Sequence, residues 1–387
     1  MKKAVVAGAG VFGVSAAISL SARGFRVDLL DPGPLPRPEA ASTDISKIVR
    51  LDYGRDDLYV ELMERALACW EDWNERWGEE LYHPTGFLVL SRGAMSPGGF
   101  ERDSLETLAS RGHAVEPLDA AGIASRYAAW GSRYAQGYFN PRGGWAESGR
   151  VVARLLDEAR AAGVRVLERA KVASLVETGS RVEGVMTASG ERHKADWVVI
   201  ALGAWTPSLL PELGDRMWAV AQPVFHLRPD DPEAWRMPRF TVWAADIGST
   251  GWYGFPANAA GIVKIANHGP GRRVEPDAPR IVAPGDEARL RAFLAESLPD
   301  LAGAPLASAK TCLYCDAFDG DFWIARDPDR PGLAVAAGDS GHGFKFAPVV
   351  GDLVADAIEG RASRALDRFA WRAPLERKTE QARFGMS

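Results

Sequence analysis

The chain has 387 residues, a length at which two domains sharing an interface are expected. Hydrophobic residues make up 47% and charged residues 25%, as in a globular protein, and the net charge of −5 argues against nucleic acid or an anionic membrane as the main partner. No apolar run reaches the roughly 20 residues of a membrane helix, and three cysteines are too few for a disulfide scaffold, so we expect a cytoplasmic protein without a membrane partner.

The N-terminal segment predicts a βαβ unit. Residues 3–7 form an apolar run without alternation, which is typical of a parallel strand buried on both faces. A helix is predicted from about Val14 to Arg23, and residues 26–30 form a second buried strand that ends at Asp31. Three glycines interrupt the first apolar stretch and no small-residue cleavage site follows, so we do not interpret the N-terminus as a secretory signal.

A glycine loop with the spacing of a dinucleotide site follows the first predicted strand: Gly8, Ala9, Gly10, Val11, Phe12 and Gly13. Such glycines allow a tight turn and a close approach of a pyrophosphate to the helix N-terminus. Asp31 ends the next strand, where a carboxylate can accept a hydrogen bond from a ribose hydroxyl. The pattern predicts a dinucleotide site, with an ordinary tight turn as the alternative, and does not distinguish NAD from FAD.

The middle of the chain leads out of this unit and back into it. Apolar residues at three-and-four spacing over Asp57–Trp77 predict an amphipathic helix, with Cys69 on its buried stripe as a small core residue. Residues 84–90 predict a strand that leads into a different region. Ser148 is predicted to cap a helix that runs to about Ala162.

Strands dominate the second half. The segment 216–268 is rich in Trp, Phe and Val with turn residues between them, which predicts an antiparallel sheet. The other predicted elements are strands at Arg165–Leu167, Val172–Glu177, Val182–Ala188 and 197–202, a helix at 286–297, short strands within 311–346 and a helix at 347–359.

We therefore predict an α/β fold with an α+β second domain. A Rossmann-like FAD-binding or NAD-binding domain would be discontinuous, comprising residues 1–84, 146–215 and 316–387. The interrupting domain, with a mixed or antiparallel sheet, would comprise residues 85–145 and 216–315 and bind the substrate.

Cys312-Leu-Tyr-Cys315 allows several interpretations. A redox dithiol should open a helix, whereas this pair lies in a strand-like run. A zinc site needs two more ligands, and the six histidines show no paired spacing, so we predict no metal. A thioether to a flavin ring needs only one cysteine, and two packed cysteines remain the plain alternative.

A second glycine-rich segment precedes the helix at 347: Gly338, Asp339, Ser340, Gly341, His342, Gly343, Phe344 and Lys345. Backbone N–H groups and a helix dipole there can hold a partly anionic ligand edge, such as the pyrimidine end of a reduced flavin. Lys345 stands between two phenylalanines, a context that argues against a solvated surface charge.

Three more segments place polar groups within or beside apolar stretches: Ser42, Thr43, Lys47 and Arg50; Gly203 and Trp205 after the strand at 197–202; and Tyr253, Lys264 and His268. An arginine can bind a carboxylate through two hydrogen bonds, although a surface Lys and Arg would show the same spacing. A strand that ends in glycine is by itself a weak signal, and a lone histidine is more often a satisfied core residue than a catalyst.

Taken in order along the chain, these motifs resemble the D-amino-acid-oxidase superfamily of flavoproteins, and within it the monomeric sarcosine oxidases and N-methyltryptophan oxidases. The resemblance covers nearly the whole chain. Its most specific parts are Cys312-Leu-Tyr314 and Gly341-His-Gly-Phe-Lys345. It implies FAD as the cofactor, held covalently by a thioether from Cys312 to the 8α-methyl group.

The resemblance also implies a role for the other matching residues. Arg50 and Lys345 would bind the substrate carboxylate, and Lys264 would lie near the flavin N5 and promote the reaction with oxygen. The remaining matches are pocket residues, namely Tyr253, His268 and Tyr314 around the substrate and Val172 on the adenine side. We also expect the cofactor to be bound by Ser42, Thr43, Lys47, Gly203 and Trp205.

The implied reaction is the oxidation of a secondary, N-methyl or N-alkyl, amino acid. A hydride would pass from the carbon beside the amine nitrogen to flavin N5, the imine would hydrolyse, and oxygen would be reduced to hydrogen peroxide. The partners would be a small amino acid with a carboxylate and molecular oxygen, and we expect a monomer.

The sequence departs from the family pattern in two places. The first is Lys47, which stands where sarcosine oxidases usually have Arg, and the run Asp-Ile-Ser-Lys-Ile-Val-Arg50 looks more like fructosyl-amino-acid oxidases (amadoriases). Those enzymes usually carry Glu in place of His268, so His268 favours the sarcosine-oxidase side. The second is Cys315, which offers another thiol for the flavin three residues after Cys312. An amadoriase, a glycine or D-amino-acid oxidase, a flavoprotein dehydrogenase subunit and a nicotinamide-dependent dehydrogenase therefore stay open as alternatives.

Overall fold

The structure is a computed structural model that describes residues 1–374 and 377–383. Its strands, in chain order, are β1 Lys3–Ala7, β2 Arg26–Leu30, β3 Lys47–Arg50, β4 Tyr82–His83, β5 Phe87–Ser91, β6 Glu116–Asp119, β7 Gln136–Asn140, β8 Gly143–Ala146, β9 Arg165–Leu167, β10 Val172–Thr178, β11 Arg181–Thr187, β12 Arg192–Lys194, β13 Trp197–Ile200, β14 Met217–Leu227, β15 Val242–Ala245, β16 Trp252–Gly254, β17 Val263–Asn267, β18 Arg272–Arg273, β19 Leu306–Ala317, β20 Trp323–Arg326 and β21 Leu333–Ala337. Its helices are α1 Val11–Ala22, α2 Asp57–Trp77, α3 Phe100–Ser110, α4 Ala120–Arg126, α5 Ser148–Ala161, α6 Thr206–Leu209, α7 Ile247–Thr250, α8 Pro284–Ser297, α9 Ala347–Glu359 and α10 Arg364–Arg368.

A six-stranded sheet in the order β20-β21-β13-β1-β2-β9 forms the first layer. All its pairs are parallel except β20–β21 at one edge. Helix α1 packs against both α5 and α9. The approach to α9 is close because a side chain at Gly351 would overlap the carbonyl oxygen of Ser15. Because helices cover this sheet, its central strands are buried, which explains why their sequences are apolar without alternation.

A nine-stranded sheet forms the second layer, in the order β18-β14-β17-β16-β15-β5-β7-β6 with β19 also paired to β14. The strands from the predicted segment 216–268 pair antiparallel with one another, as expected. One parallel pair, β5 with β15, makes the sheet mixed and joins the strand near residue 90 to the later strands.

A third, small sheet has the strand order β3-β8-β4 and positions the first cationic residues of the site. Lys47 and Arg50 are the two ends of β3, and they pair with Ala146 and Gly143 of β8. The α/β class with a mixed second sheet is thus confirmed. Among the described residues, none of the helices is long and apolar enough to cross a membrane.

The domain boundaries stay a prediction. Strands of the six-stranded sheet come from the segments 1–84, 146–215 and 316–387, and those of the nine-stranded sheet come almost entirely from the other two. Part of the last segment, 375–376 and 384–387, lies outside the described residues.

Several local expectations were wrong. Cys69 is only partly buried, and the fully buried residue of that turn is Trp70, whereas Leu62, Ala66, Trp73 and Trp77 of the predicted stripe are buried as expected. Ser148 is the first residue of α5 rather than its cap, because its hydroxyl is bonded to the backbone of Asp44. Helix α1 begins at Val11, directly after the glycine loop, instead of at Val14.

Candidate active site

The glycine loop between β1 and α1 has the form that a close backbone approach requires. Gly8 has φ +100°, and a side chain there would overlap the carbonyl oxygen of Ala201. A side chain at Gly13 would overlap the carbonyl oxygen of Gly8. At Gly10, by contrast, the nearest atom to an added Cβ is the Ser42 hydroxyl at 3.4 Å. Gly8 and Gly13 are needed by the fold, whereas Gly10 leaves room for a ligand.

Asp31 fixes this loop from the end of β2. Its carboxylate accepts hydrogen bonds from the backbone N–H of Ala9 at 2.9 Å and of Gly33 at 3.1 Å. Burial raises the pKa of Asp31 above its usual value despite these two hydrogen bonds. Ser42 accepts from the Val11 N–H at 2.9 Å, at the N-terminus of α1. Both side chains hold the loop and helix N-terminus that would face a pyrophosphate.

A cavity of about 530 Å³ begins at this loop and runs along the ends of the central strands. Nine of the residues predicted to bind the cofactor line it: Gly8, Gly10, Val11, Phe12, Asp31, Ser42, Val172, Gly203 and Trp205. Its walls also include Arg37, Leu313 and Asp339, which the sequence did not suggest as ligands. An elongated cavity with a glycine loop, a helix N-terminus and an acid at one end fits a dinucleotide such as FAD.

Other predicted cofactor residues lie outside the walls of this cavity. Ala9 and Gly13 shape the loop from behind, and Thr43 presents its carbonyl to Lys310. Gly338 and Gly343 belong to the segment before α9, where a side chain at Gly343 would press on Phe12 and Asp339. Their contribution is therefore to backbone shape.

The two cysteines of β19 have different surroundings. Because residues three apart on a strand face opposite sides, Cys312 and Cys315 do not form a pair. The Cys312 sulfur lies 3.9 Å from the Lys47 ammonium, and it packs with Tyr314 and the neighbouring Tyr253. Cys315 is buried in the apolar core against the six-stranded sheet, and burial raises the pKa of its thiol well above the usual value.

Lys264 is fully buried and lies in a cluster around Asp44. Its ammonium is 2.8 Å from the Asp44 carboxylate and donates to the Ser46 carbonyl at 2.5 Å. Lys310 and His226 approach the same carboxylate, each at 3.2 Å. Burial opposes the charge on Asp44, but Lys264 and the other neighbours hold its pKa far below the usual range. Burial lowers the pKa of Lys264 to about 8, so the pair is ionised below that pH.

A second, smaller cavity of about 60 Å³ gathers most of the predicted substrate residues. The predicted residues in its wall are Lys47, Arg50, Tyr253, His268, Tyr314, Gly341, His342, Phe344 and Lys345. Lys264 and Cys312 are not in this wall, although the Lys47 ammonium lies 3.9 Å from the Cys312 sulfur and Cys312 belongs to the same apolar cluster as Tyr314. The second glycine segment and β3 therefore meet at one small pocket.

Arg50 and Lys345 are both buried in this pocket. Lys345 donates to the Tyr53 hydroxyl at 2.9 Å and to the His342 carbonyl at 2.7 Å. Burial, and then the nearby Arg50, lower the pKa of Lys345 well below its usual value. Arg50 lies over the Tyr53 ring, with its Cζ 4.7 Å from the centroid. An anion bound between the two side chains would favour the charged form of both.

Glu380 also lines this pocket, and none of the sequence motifs pointed to it. Its carboxylate lies 3.2 Å from Arg50 Nη2 and 2.6 Å from His268 Nε2. Burial opposes the charge of Glu380, but His342, Arg50 and His268 hold its pKa well below the usual value. Since burial lowers the pKa of His342 to about 3, that ring is neutral near pH 7, and Arg50 is the cation that keeps Glu380 ionised.

His268 is neutral in this setting. Burial lowers its pKa below the usual value, more than the hydrogen bond to Glu380 raises it. Its Nε2 therefore carries the hydrogen that the carboxylate accepts. Asp44, the other acid missed as a site residue, stood within the run that suggested Lys47 and Arg50, where a single buried carboxylate has no periodic signature.

Comparison with known proteins identifies relatives along the whole chain. The model of the family described as FAD dependent oxidoreductase (DAO) matches residues 3–357. Monomeric sarcosine oxidase of Bacillus sp. (strain B-0618) is 27% identical over 386 residues, covering 97% of this chain and 97% of its own. N-methyl-L-tryptophan oxidase of Salmonella heidelberg (strain SL476) is 27% identical over 364 residues, covering 92% and 94%.

A solved structure, fructosyl amine:oxygen oxidoreductase (Amadoriase I) from Aspergillus fumigatus, has the same fold. It superposes with a TM-score of 0.82 at 26% identity and covers 96% of this chain and 89% of its own. The expected flavoprotein family and its amadoriase-like component are thus both confirmed as similarities.

Gly10→Ala should separate cofactor binding from folding. The added methyl group meets only the Ser42 hydroxyl at 3.4 Å, so the thermal midpoint of the flavin-free protein should stay close to that of the parent. Flavin content after purification should fall, because the methyl group blocks the approach of a pyrophosphate. Gly13→Ala is the matched control, and it should destabilise the flavin-free protein by about 1–3 kcal/mol or more. A Gly10→Ala protein with full flavin content would contradict the assignment of this loop.

Proposed function

The chain belongs to the FAD dependent oxidoreductase (DAO) family, and on this premise we propose that it is an FAD-dependent oxidase of N-methyl or other N-alkyl amino acids, with oxygen as acceptor and hydrogen peroxide as product. The names of two relatives support the substrate class, since one is a sarcosine oxidase and the other an N-methyl-L-tryptophan oxidase. The observation that carries the proposal is the buried pair Arg50 and Lys345 in one small pocket.

In this proposal, Arg50 and Lys345 bind the substrate carboxylate and thereby place the carbon next to the amine nitrogen. Tyr53 and the His342 carbonyl orient Lys345 through two hydrogen bonds, so its amine is held before a ligand arrives. Tyr253, Tyr314 and His268 form the walls around the rest of the substrate. When bound, the flavin supplies the redox chemistry by accepting a hydride and passing two electrons to oxygen.

Lys264 is proposed as the group that promotes the reaction with oxygen. It is buried, and its ammonium is held by Asp44 and the Ser46 carbonyl, so little reorganisation is needed when negative charge develops on oxygen. A second cation, Lys47, lies close enough to lower the pKa of Lys264 further. The cluster thus supplies a fixed positive charge below about pH 8.

Cys312 is proposed as the covalent attachment point for FAD. The Cys312 sulfur lies 3.9 Å from the ammonium of Lys47, which is a wall residue of the small cavity. Cys312 shares a face of β19 with Tyr314, a wall residue of the small cavity, whereas Cys315 lies in the apolar core. The surroundings of the two cysteines therefore favour Cys312.

An amadoriase-like oxidase of sugar–amine adducts is the second candidate, favoured by the similarity to the Aspergillus fumigatus structure. We further propose that the protein is a monomer that works in the cytoplasm. Three free cysteines agree with a reducing compartment, and the sarcosine oxidase relatives are named as monomeric.

A panel of amines, read by peroxide release, tests the proposed reaction. Sarcosine, N-methyl-L-tryptophan and a cyclic imino acid should release peroxide, while the corresponding amines without a carboxylate should react far more slowly. Peroxide release with fructosyl-glycine and none with the N-methyl amino acids would select the amadoriase alternative. A protein that purifies without flavin would remove both.

Cys312→Ala should abolish covalent attachment, so that acid precipitation releases all of the FAD into the supernatant. The matched control Cys315→Ala should keep the flavin in the precipitate, because that thiol faces the apolar core. The measurement is flavin absorbance in the pellet and supernatant. Covalent flavin in Cys312→Ala would move the attachment point elsewhere.

Lys264→Met should slow reoxidation of the reduced enzyme by oxygen about 10²-fold or more, with a much smaller effect on reduction by substrate. In the parent enzyme, the reoxidation rate should fall as the pH rises through about 8, because the ammonium is present below that pKa and lost above it. Stopped-flow absorbance separates the two half-reactions. Lys310→Met removes a neighbouring charge on Asp44 and should have the weaker effect. Equal slowing of both half-reactions in Lys264→Met would argue against the oxygen role.

A further inference from the structure

The C-terminal strap, residues 378–383, lies between the small pocket and a larger outer cavity. The outer cavity measures about 440 Å³. Strap residues Thr379, Glu380, Gln381 and Ala382 form part of its wall, and Glu380 also forms part of the wall of the small pocket. One side chain thus closes the boundary between the two spaces.

Glu380 is bonded in the pocket as a ligand carboxylate would be. One of its oxygens accepts from His268 Nε2 at 2.6 Å, and the other lies 3.2 Å from Arg50 Nη2. Its side chain is only 7% exposed. Arg50 is also the residue to which the proposed function assigns the substrate carboxylate. Two carboxylates cannot occupy the same face of this guanidinium, because they would repel one another in a buried site.

Arg50 uses only one of its two terminal nitrogens to bind Glu380. Only Nη2 of Arg50 reaches the carboxylate, and Nη1 is buried with no hydrogen-bond partner in the described part of the chain. A carboxylate free to rotate can bind an arginine through two nitrogens at once. A small ligand therefore has one hydrogen bond to gain that the strap does not make.

The strap is attached by a few contacts on either side of Glu380. The Lys378 N–H donates to the Phe318 carbonyl at 2.9 Å, and Arg383 Nε donates to the Gly269 carbonyl at 3.1 Å. Within the strap, the Arg383 N–H donates to the Glu380 carbonyl at 2.9 Å. The Arg383 guanidinium pairs with Asp316 at 2.6 Å. Gln381 donates to Asp103 at 2.9 Å. These contacts hold a short segment and leave Glu380 as its one carboxylate in the pocket.

We propose that Glu380 is a specificity-determining residue that acts as an internal competitor for ligand carboxylates. A ligand carboxylate displaces Glu380 from Arg50 and His268, and the strap moves toward the outer cavity. A ligand without a carboxylate leaves Glu380 in place and finds only the 60 Å³ that remain. The proposal rests on the proposed function in one respect, since it uses Arg50 as the carboxylate site.

The test uses the FAD-loaded enzyme and acetate as the probe, with binding followed by the change in the visible flavin spectrum. Glu380→Gln keeps the shape of the side chain and removes the competing charge, so acetate should bind at least tenfold more tightly. Acetamide, the neutral counterpart, should gain no more than twofold. Asp57→Asn is the matched control, because it removes the same charge at the outer cavity from a residue that is 58% exposed. The affinity of the Asp57→Asn enzyme for acetate should differ from that of the parent by less than twofold. Acetate binding to Glu380→Gln that is no tighter than in the parent overturns the proposal.

A second measurement on the unaltered enzyme distinguishes displacement from a simple charge effect. If the strap leaves, amide hydrogen exchange at Lys378 and Arg383 should rise at least fivefold when acetate saturates the site. Unchanged or slower exchange at both amides overturns the proposal, even if Glu380→Gln does not fold. Neither experiment needs turnover. An amine panel without peroxide would therefore count against the proposed function alone, and normal oxidation of sarcosine with unaltered acetate binding would count against the strap alone.

Discussion

The buried carboxylate of Asp44 is the interaction on which the arrangement of the site depends. Its side chain pairs with Lys264 of β17, Lys310 of β19 and His226 of β14. Its backbone exchanges hydrogen bonds with Ser148, the first residue of α5. One residue therefore ties three strands of the nine-stranded sheet to a helix that packs against the six-stranded sheet. Removing one member of such a buried cluster is costly, because the remaining charges lose their partner in a medium that solvates them poorly.

The same cluster explains how a lysine can be kept in an apolar interior and still carry charge. Burial lowers the pKa of Lys264, and the Asp44 carboxylate limits the fall to about 8. Lys47 acts in the opposite direction on Lys264, while its own pKa is raised by Cys312 and Asp44 against the effect of burial. Asp44 therefore raises the pKa of both Lys264 and Lys47, and its removal would favour the neutral form of each lysine.

Sequence patterns predicted the parts of this protein whose cause is local. The glycine loop, β1 and β2 follow from backbone sterics and from an apolar run, and the structure has them at the predicted residues. The bounds of α2 and most of its buried stripe were also predicted, and only Cys69 lies at the margin of that stripe, where it is partly buried. The prediction that Ser148 caps α5 was wrong. Its hydroxyl is hydrogen-bonded to the backbone of Asp44, which is distant in sequence.

The residues of the site likewise include some that motifs predicted and one that they did not. Lys47, Arg50, His268, Tyr314 and Lys345 were predicted from motifs, and they line one cavity although they come from separate segments. Glu380 could not be predicted in this way. It stands in a charged tail without periodicity, and only the folded chain brings it to Arg50.

The position of Glu380 follows from a general cost of buried cations. A guanidinium that is 5% exposed must have a counter-charge at all times, because burying it unpaired costs several kcal/mol. A pocket that binds carboxylates through such a guanidinium therefore leaves the cation unpaired whenever no ligand is bound. Water in the remaining 60 Å³ can accept hydrogen bonds but supplies no counter-charge. A carboxylate of the chain itself, here that of Glu380, supplies the counter-charge while the pocket stays closed. The consequence is that the affinity of Arg50 for an external carboxylate is a difference between two similar interactions, and a weak internal one favours exchange. The single contact between Glu380 and Nη2, with Nη1 left over, is the kind of weak interaction that such an exchange requires.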